Sequence, residues 1–260
     1  MEIPLFPLHT VLCPGIVLPL HVFEERYRAM TRRCLDTGEP FGVVLIRNGR
    51  EVGSDGVATL AGVGAFAEIR EAGRYPDGRY DLLAAATGRF AIESVDTGRE
   101  PYLVAEVTAL EDEIGDEPRA ERLAATAIRR FVRYLDLMRA RDGESSEVLD
   151  IRVEVDAPSE DDDPTALATG EPEPEPVTTG DEPPTRRDLV IPDDPTVLSY
   201  LLSGIVQIEL PRRQALLEAD TTVDRLEGLI ALLERELVLL GRRLRFFTPD
   251  PKLLGGARRS

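Results

Sequence analysis

The chain has 260 residues, of which 42% are hydrophobic and 30% are charged, and its formal net charge is −17. This length suffices for one large domain or two small ones with a buried core. The negative charge argues against a nucleic-acid partner, because phosphate binding requires clustered Lys and Arg.

Lysine is almost absent from the sequence. Lys252 is the one lysine, and the other 30 of the 31 basic residues are Arg. A Gly-Lys-Ser/Thr phosphate loop is therefore excluded, and a Ser-Lys peptidase dyad would need this C-terminal lysine against a buried serine. We predict that the chain is not an enzyme, and we expect no cofactor.

Cysteine and histidine are too sparse for a disulfide scaffold or a standard metal motif. The two cysteines, Cys13 and Cys34, are expected to be reduced, which predicts a cytoplasmic protein. Their spacing to His9 and His21 matches no zinc finger, so no metal site is predicted. The apolar N-terminus lacks a basic leader and is broken by prolines, which argues against a signal peptide or membrane span.

Residues 3–27 are dense in prolines, with hydrophobic residues between them. Proline fixes φ and removes a backbone donor, so this run cannot form a long helix. It is predicted to form short extended pieces with sharp bends. A helix is expected near residues 23–36, closed by Gly38.

Residues 1–112 are predicted to be rich in β-structure, because strand patterns recur along them. The patterns cover Phe41–Ile46, 57–69, the flanks of a turn at Asp77-Gly78, 90–95 and 102–107. Gly62-Val-Gly64 matches part of a dinucleotide fingerprint, but no βαβ unit surrounds it. We interpret these glycines as strand residues that allow close packing or a bulge. Several short strands with one helix indicate a closed or nearly closed barrel.

The pattern then becomes helical and afterwards strongly acidic. Residues 118–143 carry apolar residues at 3–4 spacing on one face, which predicts a helix ended by Gly143. Residues 154–188 contain 12 acidic and 2 basic residues, and 7 of the 20 prolines. We predict a disordered, extended insertion there, since such a segment cannot bury enough apolar surface to offset its ordering entropy.

Helices are predicted again beyond this insertion. Asp194-Pro195 supplies an N-cap and first residue for a helix to about Gln207, and a short helix is expected over 212–218. Thr221-x-x-Asp224 has the form of a capping box that opens the longest helix, to about Leu244. Apolar residues at heptad spacing run along this helix, but the apolar face that they form is wider than a two-stranded zipper requires. We therefore favour packing in a small helical bundle and a monomer, with a dimer left open.

A set of short motifs resembles the substrate-binding N-terminal domain of Lon proteases, which also occurs in stand-alone proteins. At the N-terminal end the motifs are Pro4-Leu-Phe-Pro7, Pro14-Gly15, Leu18-Pro-Leu-His21, Phe23-Glu24, Arg26-Tyr27, Phe41-Gly42, Glu51-Val-Gly53, Asp77-Gly78-Arg79-Tyr80 and Gly88-Arg-Phe90. Near the other end they are Gln214-Ala-Leu-Leu-Glu218, Arg225-Leu226 and 233–237. Both groups occur in the family's order, so the resemblance covers nearly all of the predicted folded residues.

The resemblance implies an α+β fold, with a β-rich, PUA-like pseudo-barrel followed by a C-terminal helical bundle that contains one long helix. A related β domain occurs in cereblon. We accordingly expect five segments: a β-rich Lon N-terminal domain at 1–112, the first helix of the helical domain at 113–153, the acidic insertion at 154–188, the helical domain at 189–247 and a flexible tail at 248–260.

The resemblance also implies a protein-binding function without catalysis. We expect a module that captures unfolded or degron-like polypeptides as an adaptor or holdase, with an ATP-dependent protease as a possible partner and with neither nucleic acid nor membrane as a partner. Capture requires an exposed apolar patch, which we expect between the barrel and the first helix. The candidate contact residues are Val22, Phe23, Arg26, Tyr27, Met30, Arg79 and Tyr80.

Two other functions remain open at this point. The barrel could hold a small-molecule sensor or enzyme site, although no acid–base constellation in the sequence supports one. The long heptad helix could instead dock the chain onto an ATP-dependent protease. Core packing is an alternative role for the apolar candidates, and an internal ion pair is an alternative role for Arg26.

Overall fold

A computed structural model describes residues 1–48, 59–142, 151–153 and 189–247. The chain divides into two units, Met1–Ser146 with Asp194–Ser260, and Glu147–Asp193. The predicted acidic insertion at 154–188 and the predicted tail at 248–260 lie outside the described residues. The predicted domain boundaries, including the one at residue 112, stay predictions.

Seven strands in the first unit form one sheet that closes on itself. The strands are β1 (Glu2–Leu8), β2 (Val17–Val22), β3 (Phe41–Asn48), β4 (Thr59–Leu60), β5 (Val63–Arg74), β6 (Tyr80–Asp96) and β7 (Leu103–Leu110). Their order is β1-β7-β6-β5-β3, and a parallel pairing of β1 with β3 completes the ring. β2 adds to β6, and β4 adds to β3. The predicted barrel is therefore confirmed.

Proline in β2 is compatible with the sheet because this strand lies at an edge. Among the described residues β2 pairs only with β6. Ala86 donates its N–H to the carbonyl of Ile16, and the alternation of an antiparallel ladder then points the backbone of Pro19 away from β6. The missing proline N–H therefore leaves no ladder bond unmade.

Two glycines make room for an aromatic ring inside the barrel. Phe90 is fully buried, and a Cβ added at Gly64 would lie 2.5 Å from its Cζ atom and 2.7 Å from the carbonyl oxygen of Val43. A Cβ added at Gly42 would lie 2.7 Å from the same Cζ. Gly64 lies in β5 and allows this close packing, as the sequence indicated. Gly62 lies between β4 and β5, and no atom of the described residues lies within 4 Å of a Cβ added there, so the strand interpretation is wrong for Gly62.

Five helices complete the first unit: α1 (Glu25–Thr37), α2 (Glu117–Asp142), α3 (Pro195–Ile205), α4 (Leu210–Leu217) and α5 (Thr222–Phe247). Gly38 ends α1 with a φ of 71°. Asp194 caps α3 by accepting the N–H groups of Thr196 and Val197, and Asp224 donates its N–H to Thr221 Oγ1 at the start of α5. The capping residues predicted from the sequence are thus those observed.

The two longest helices, α2 and α5, run parallel to each other. Arg119 pairs with Glu227 near their N-terminal ends, and Arg130 pairs with Glu234 further along both helices. Apolar residues of the α5 heptad pattern are buried within the chain: Val223, Leu226, Leu229, Leu233 and Leu240. This burial agrees with packing in a helical bundle.

A buried ionic cluster joins the helices to the sheet. Arg89 of β6 and Arg225 of α5 are 3% and 0% exposed, and both face Asp112, with N–O distances of 2.9 and 3.7 Å. The Tyr200 hydroxyl of α3 donates to the same carboxylate. Carbonyl oxygens at the end of α4, including Leu216 and Leu217, accept further guanidinium N–H groups. Four elements thus share one hydrogen-bonded cluster.

The structure adds strands that the sequence did not predict. β6 is one strand of 17 residues, whereas the sequence predicted only its start beside the Asp77-Gly78 turn and residues 90–95. In the second unit, β8 (Ile151–Val153) and β9 (Leu189–Ile191) pair in parallel. The sequence predicted no strand at these positions, which fall within the segments 113–153 and 189–247; the segment boundaries themselves stay predictions.

Candidate functional site

Apolar and aromatic side chains are exposed along β2 and the turn into α1. Val17 is 49% exposed and Phe23 is 62% exposed, and Pro19 and His21 are exposed between them. Alternate residues of a strand share one face, so Val17, Pro19 and His21 lie on the same side of β2. Exposed apolar side chains that adjoin one another in this way mark a candidate contact surface.

The turn between β5 and β6 extends this surface. Tyr75, 40% exposed, and Arg79 lie in the turn, where the Tyr75 N–H donates to the Arg79 carbonyl. The ring of His21 lies 6.3 Å from that of Phe23 and 6.1 Å from that of Tyr75, between centroids. The Arg79 guanidinium lies 5.4 Å from the Tyr75 ring centroid. We call His21, Phe23, Tyr75 and Arg79 the aromatic surface.

Asp81 holds two members of the aromatic surface in place. Its carboxylate accepts hydrogen bonds from Tyr75 Oη at 2.5 Å and from His21 Nδ1 at 2.6 Å. The Arg79 guanidinium lies 3.4 Å from His21 Nε2, at the long end of hydrogen-bond distances. The rings are therefore fixed in their exposed positions by side-chain hydrogen bonds.

The charges of this network follow from its hydrogen bonds. The Tyr75 hydroxyl, and after it His21, lower the pKa of Asp81 below its usual value, and the same bond raises the pKa of Tyr75. The backbone N–H of Arg79 lowers the pKa of Asp77. At neutral pH the turn therefore carries the carboxylates of Asp77 and Asp81 beside the guanidinium groups of Arg79 and Arg28, which gives the aromatic surface polar groups between its rings.

Four of the seven predicted contact residues lie in the core beneath this surface. Val22, Tyr27, Met30 and Tyr80 are between 0% and 4% exposed and belong to one buried cluster. The Tyr27 ring stacks on Phe6, with 4.2 Å between centroids. In this structure these four side chains pack the barrel against α1, as the packing alternative proposed, and contact with a substrate stays a prediction for them.

The other three predicted residues are accessible to different degrees. Phe23 and Arg79 belong to the aromatic surface. Arg26 is half-buried, binds Glu24 at 2.8 Å and lies 4.5 Å above the Tyr27 ring. The internal ion pair that was the alternative for Arg26 is therefore present.

Sequence reasoning missed three members of the site. Tyr75 and Asp81 flank the recognised Asp77-Gly78 turn, and His21 precedes the recognised Phe23. The alternation of Val17, Pro19 and His21 in the sequence was the available signal for their shared face. The pairing of His21 with Asp81 depends on the β2–β6 register, in which the two residues are opposite each other, and the sequence alone does not give that register.

Two concave regions lie apart from the aromatic surface. A cavity of about 450 Å³ between β3 and α4 is lined by residues that include Leu45, Ile46, Leu210 and Gln214. A groove of about 520 Å³ lies between α2 and α5. Within residues 1–48, 59–142, 151–153 and 189–247, no group of three His, Cys, Asp or Glu side chains is arranged to bind a metal. In the same residues no helix is long and apolar enough to cross a membrane.

Comparison with known proteins places this architecture in a family. Residues 2–235 match the family of the ATP-dependent protease La (LON) substrate-binding domain. Lon protease of Escherichia coli strain K12 is 27% identical over 245 residues, covering 92% of this chain and 25% of that protein. Lon protease of Azorhizobium caulinodans is 26% identical over 240 residues, covering 91% and 23%.

Solved structures agree with the sequence match. The Lon N-terminal domain protein from Xanthomonas campestris has a TM-score of 0.53 and 25% identity, covering 89% of this chain and 98% of that one. The N-terminal domain of Mycobacterium avium complex Lon protease has a TM-score of 0.53 and 17% identity, covering 90% and 98%. The second likeness concerns the fold alone.

The chain belongs to the Lon substrate-binding domain family. It spans about a quarter of the length of the Lon proteases that it matches. The match covers the substrate-binding domain and not the protease or ATPase domains. The α+β class and the family predicted from the sequence are therefore confirmed.

Proposed function

We propose that this protein captures unfolded or degron-like polypeptide segments through its aromatic surface, as a non-catalytic adaptor or holdase. The observation that carries the proposal is the 62% exposed Phe23 beside exposed His21 and Tyr75, on a chain of the Lon substrate-binding domain family. Exposed aromatic rings supply contact area to many different sequences, because every unfolded chain offers apolar side chains.

The edge position of β2 supports binding of an extended segment. Backbone groups of Val17 and His21 point away from β6 by the alternation of the ladder, and β2 has no second strand partner among the described residues. An extended peptide could hydrogen-bond to these groups while its side chains contact the aromatic surface. Pro19 lacks an N–H, so this edge offers fewer bonds than a full strand and favours reversible capture.

Partners and location follow from the same proposal. An ATP-dependent protease is the proposed recipient of captured chains, because the family is named for such an enzyme. Two cysteines, Cys13 and Cys34, are buried and unpaired. Unpaired thiols are typical of proteins in reducing compartments, which supports the cytoplasm as the proposed location.

The proposal is tested by titrating the protein into a fluorescently labelled, permanently unfolded model protein and measuring anisotropy without ATP. Saturable binding at micromolar concentration that leaves the model protein uncleaved would support capture. Phe23→Ser should weaken this binding roughly tenfold, since exposed aromatic anchors dominate such contacts. The matched control is Val197→Ser, which removes a 49% exposed side chain of α3 outside the aromatic surface.

Small-molecule binding remains a second candidate because of the cavity between β3 and α4. Its volume of about 450 Å³ lies within the range of small-ligand sites, and its lining mixes apolar residues with Gln214 and Glu218. This candidate predicts that Pro211→Arg, at an exposed residue that lines the cavity, leaves polypeptide binding unchanged. Equal loss of polypeptide binding in Pro211→Arg and Phe23→Ser would indicate that the cavity, and not the aromatic surface alone, takes part in polypeptide binding.

A further inference from the structure

The groove between α2 and α5 combines an apolar floor with unpaired positive charge. Leu237 and the 53% exposed Val238 contribute apolar surface. Arg130 of α2 binds Glu234 at 3.2 Å. Arg133 and Arg242 line the same groove, are exposed, and have no ion-pair partner among the described residues. The groove therefore carries about two uncompensated positive charges.

A glycine lies in this groove without any packing reason for it. A Cβ added at Gly204 of α3 would lie 2.6 Å from Ile16, and one added at Gly228 of α5 would lie 3.1 Å from Leu216. At Gly241 of α5 no atom of the described residues lies within 4 Å of an added Cβ. Glycine weakens a helix interior relative to alanine, and packing does not require a glycine at this position. The missing side chain of Gly241 leaves open space against the α5 backbone.

We propose that this groove is a second binding site, for an acidic polypeptide segment that also carries apolar side chains. Its carboxylates would pair with Arg133 and Arg242, its apolar side chains would contact Leu237 and Val238, and its backbone would approach α5 at Gly241. Arginines near a helix C-terminus also interact favourably with the helix dipole, but that interaction does not account for the space at Gly241. Charge complementarity of this kind selects acidic partners.

A second copy of this chain fits the groove poorly. In a two-fold symmetric contact the same surface patch occurs on both subunits, so two grooves with a net positive charge would face each other. Such like-charge contacts are unfavourable. The site is separate from the aromatic surface in its residues, so either proposal can fail while the other stands.

The test uses the full chain and a fluorescein-labelled peptide of three Glu-Glu-Leu-Ser repeats, with binding measured by anisotropy. We expect saturable binding that weakens when NaCl is raised from about 50 mM to about 500 mM, because exposed charge pairs are screened by salt. Matched peptides of Lys-Lys-Leu-Ser and Glu-Glu-Ser-Ser repeats separate the charge from the apolar contribution. Both should bind at least roughly tenfold more weakly.

Variants at Gly241 test the contribution of the open space to peptide binding, and variants at Arg133 and Arg242 test the contribution of the positive charge. Gly241→Phe fills the groove without changing charge and should weaken peptide binding roughly tenfold, whereas Gly241→Ala leaves most of the space and should bind within about threefold of the parent. Arg133→Glu combined with Arg242→Glu should abolish binding and leave capture by the aromatic surface unchanged. Equal binding by the acidic and basic peptides, or an unchanged affinity in Gly241→Phe, would overturn the proposal.

Two further outcomes would assign the groove to another occupant. In the first, a labelled single-stranded oligonucleotide binds more tightly than the acidic peptide, which would overturn the proposal that the partner is a polypeptide. In the second, the peptide does not bind the parent chain but binds a variant in which residues 159–187 are replaced by a Gly-Ser linker. That result would overturn the proposal of an external partner and would assign the groove to this acidic segment of the chain itself.

Discussion

The guanidinium carbon of Arg225 lies 3.8 Å from the ring centroid of Tyr200, so a cation of α5 stacks on an aromatic ring of α3. Burial lowers the pKa of Arg225 from its usual value, and the neighbouring Tyr200 opposes that effect. Asp112 accepts the Tyr200 hydroxyl and faces both Arg225 and Arg89. The desolvation cost of two buried cations is thus offset by one carboxylate, one ring and several carbonyl groups.

Arg225→Leu is predicted to destabilise the protein strongly. The substitution removes the guanidinium donors of the Leu216 carbonyl and the Ser199 hydroxyl and a cation facing Asp112, at a cost of about 3 kcal/mol in the free energy of unfolding. Urea denaturation followed by circular dichroism measures this change. As a control, Arg99→Leu removes an exposed pair with Glu2 and should leave the midpoint unchanged. Equal midpoints for both variants would contradict the role given to the buried cluster.

Gly64→Ala is predicted to destabilise the barrel, whereas Gly62→Ala, two residues earlier, is predicted to leave its stability nearly unchanged. The added methyl group at Gly64 would meet Phe90 and the backbone of Val43, and overpacking of this kind costs about 2 kcal/mol. At Gly62 no atom of the described residues lies within 4 Å of an added Cβ. Thermal unfolding of the two variants compares them directly, and similar melting temperatures would disprove the packing explanation for Gly64.

The sequence predicted those features of the fold that are determined by residues close together in the chain. The caps at Gly38, Asp194 and Thr221 were found because they act within a few residues. Half of β6 was missed because Leu82 to Ala86 shows no alternation and alanine is uncommon in strands. The length of β6 instead results from its pairing with β2, β5 and β7. A single sequence does not reveal this pairing between separate segments of the chain.

The candidate site shows the same division between local and non-local information. The sequence indicated the right segments, the β2–α1 turn and the Asp77-Gly78 hairpin. It did not show which apolar side chains point outward: Val22 and Tyr27 are buried, whereas Phe23 between them is exposed. The partnership of His21 with Asp81 required the register of β2 on β6.

The two thiols are predicted to be unreactive in the folded protein. Burial raises the pKa of Cys13 and of Cys34 to about 11, and only the thiolate reacts with disulfide reagents. With Ellman's reagent at mildly alkaline pH, we expect both thiols to react in denaturant and neither within minutes in buffer. Rapid reaction of one thiol in buffer would show that its site is open.

The same burial predicts a loss of stability at high pH. An unfolded thiol ionises at lower pH than these folded ones, so their stabilisation is fully present below about pH 9 and is lost as pH rises through about 11. Urea midpoints measured across this range should fall. The fall should be smaller in a variant with Cys13→Ala and Cys34→Ala, and an identical fall would assign it to other groups.

The central claim is that the aromatic surface captures unfolded chains, and anisotropy of a labelled, permanently unfolded protein without ATP tests it most directly. We predict saturable micromolar binding, weakened roughly tenfold in Phe23→Ser and further in Phe23→Ser with Tyr75→Ser, and unchanged in Val197→Ser. No binding by the parent protein at high concentration, or equal binding by all variants, would contradict the claim.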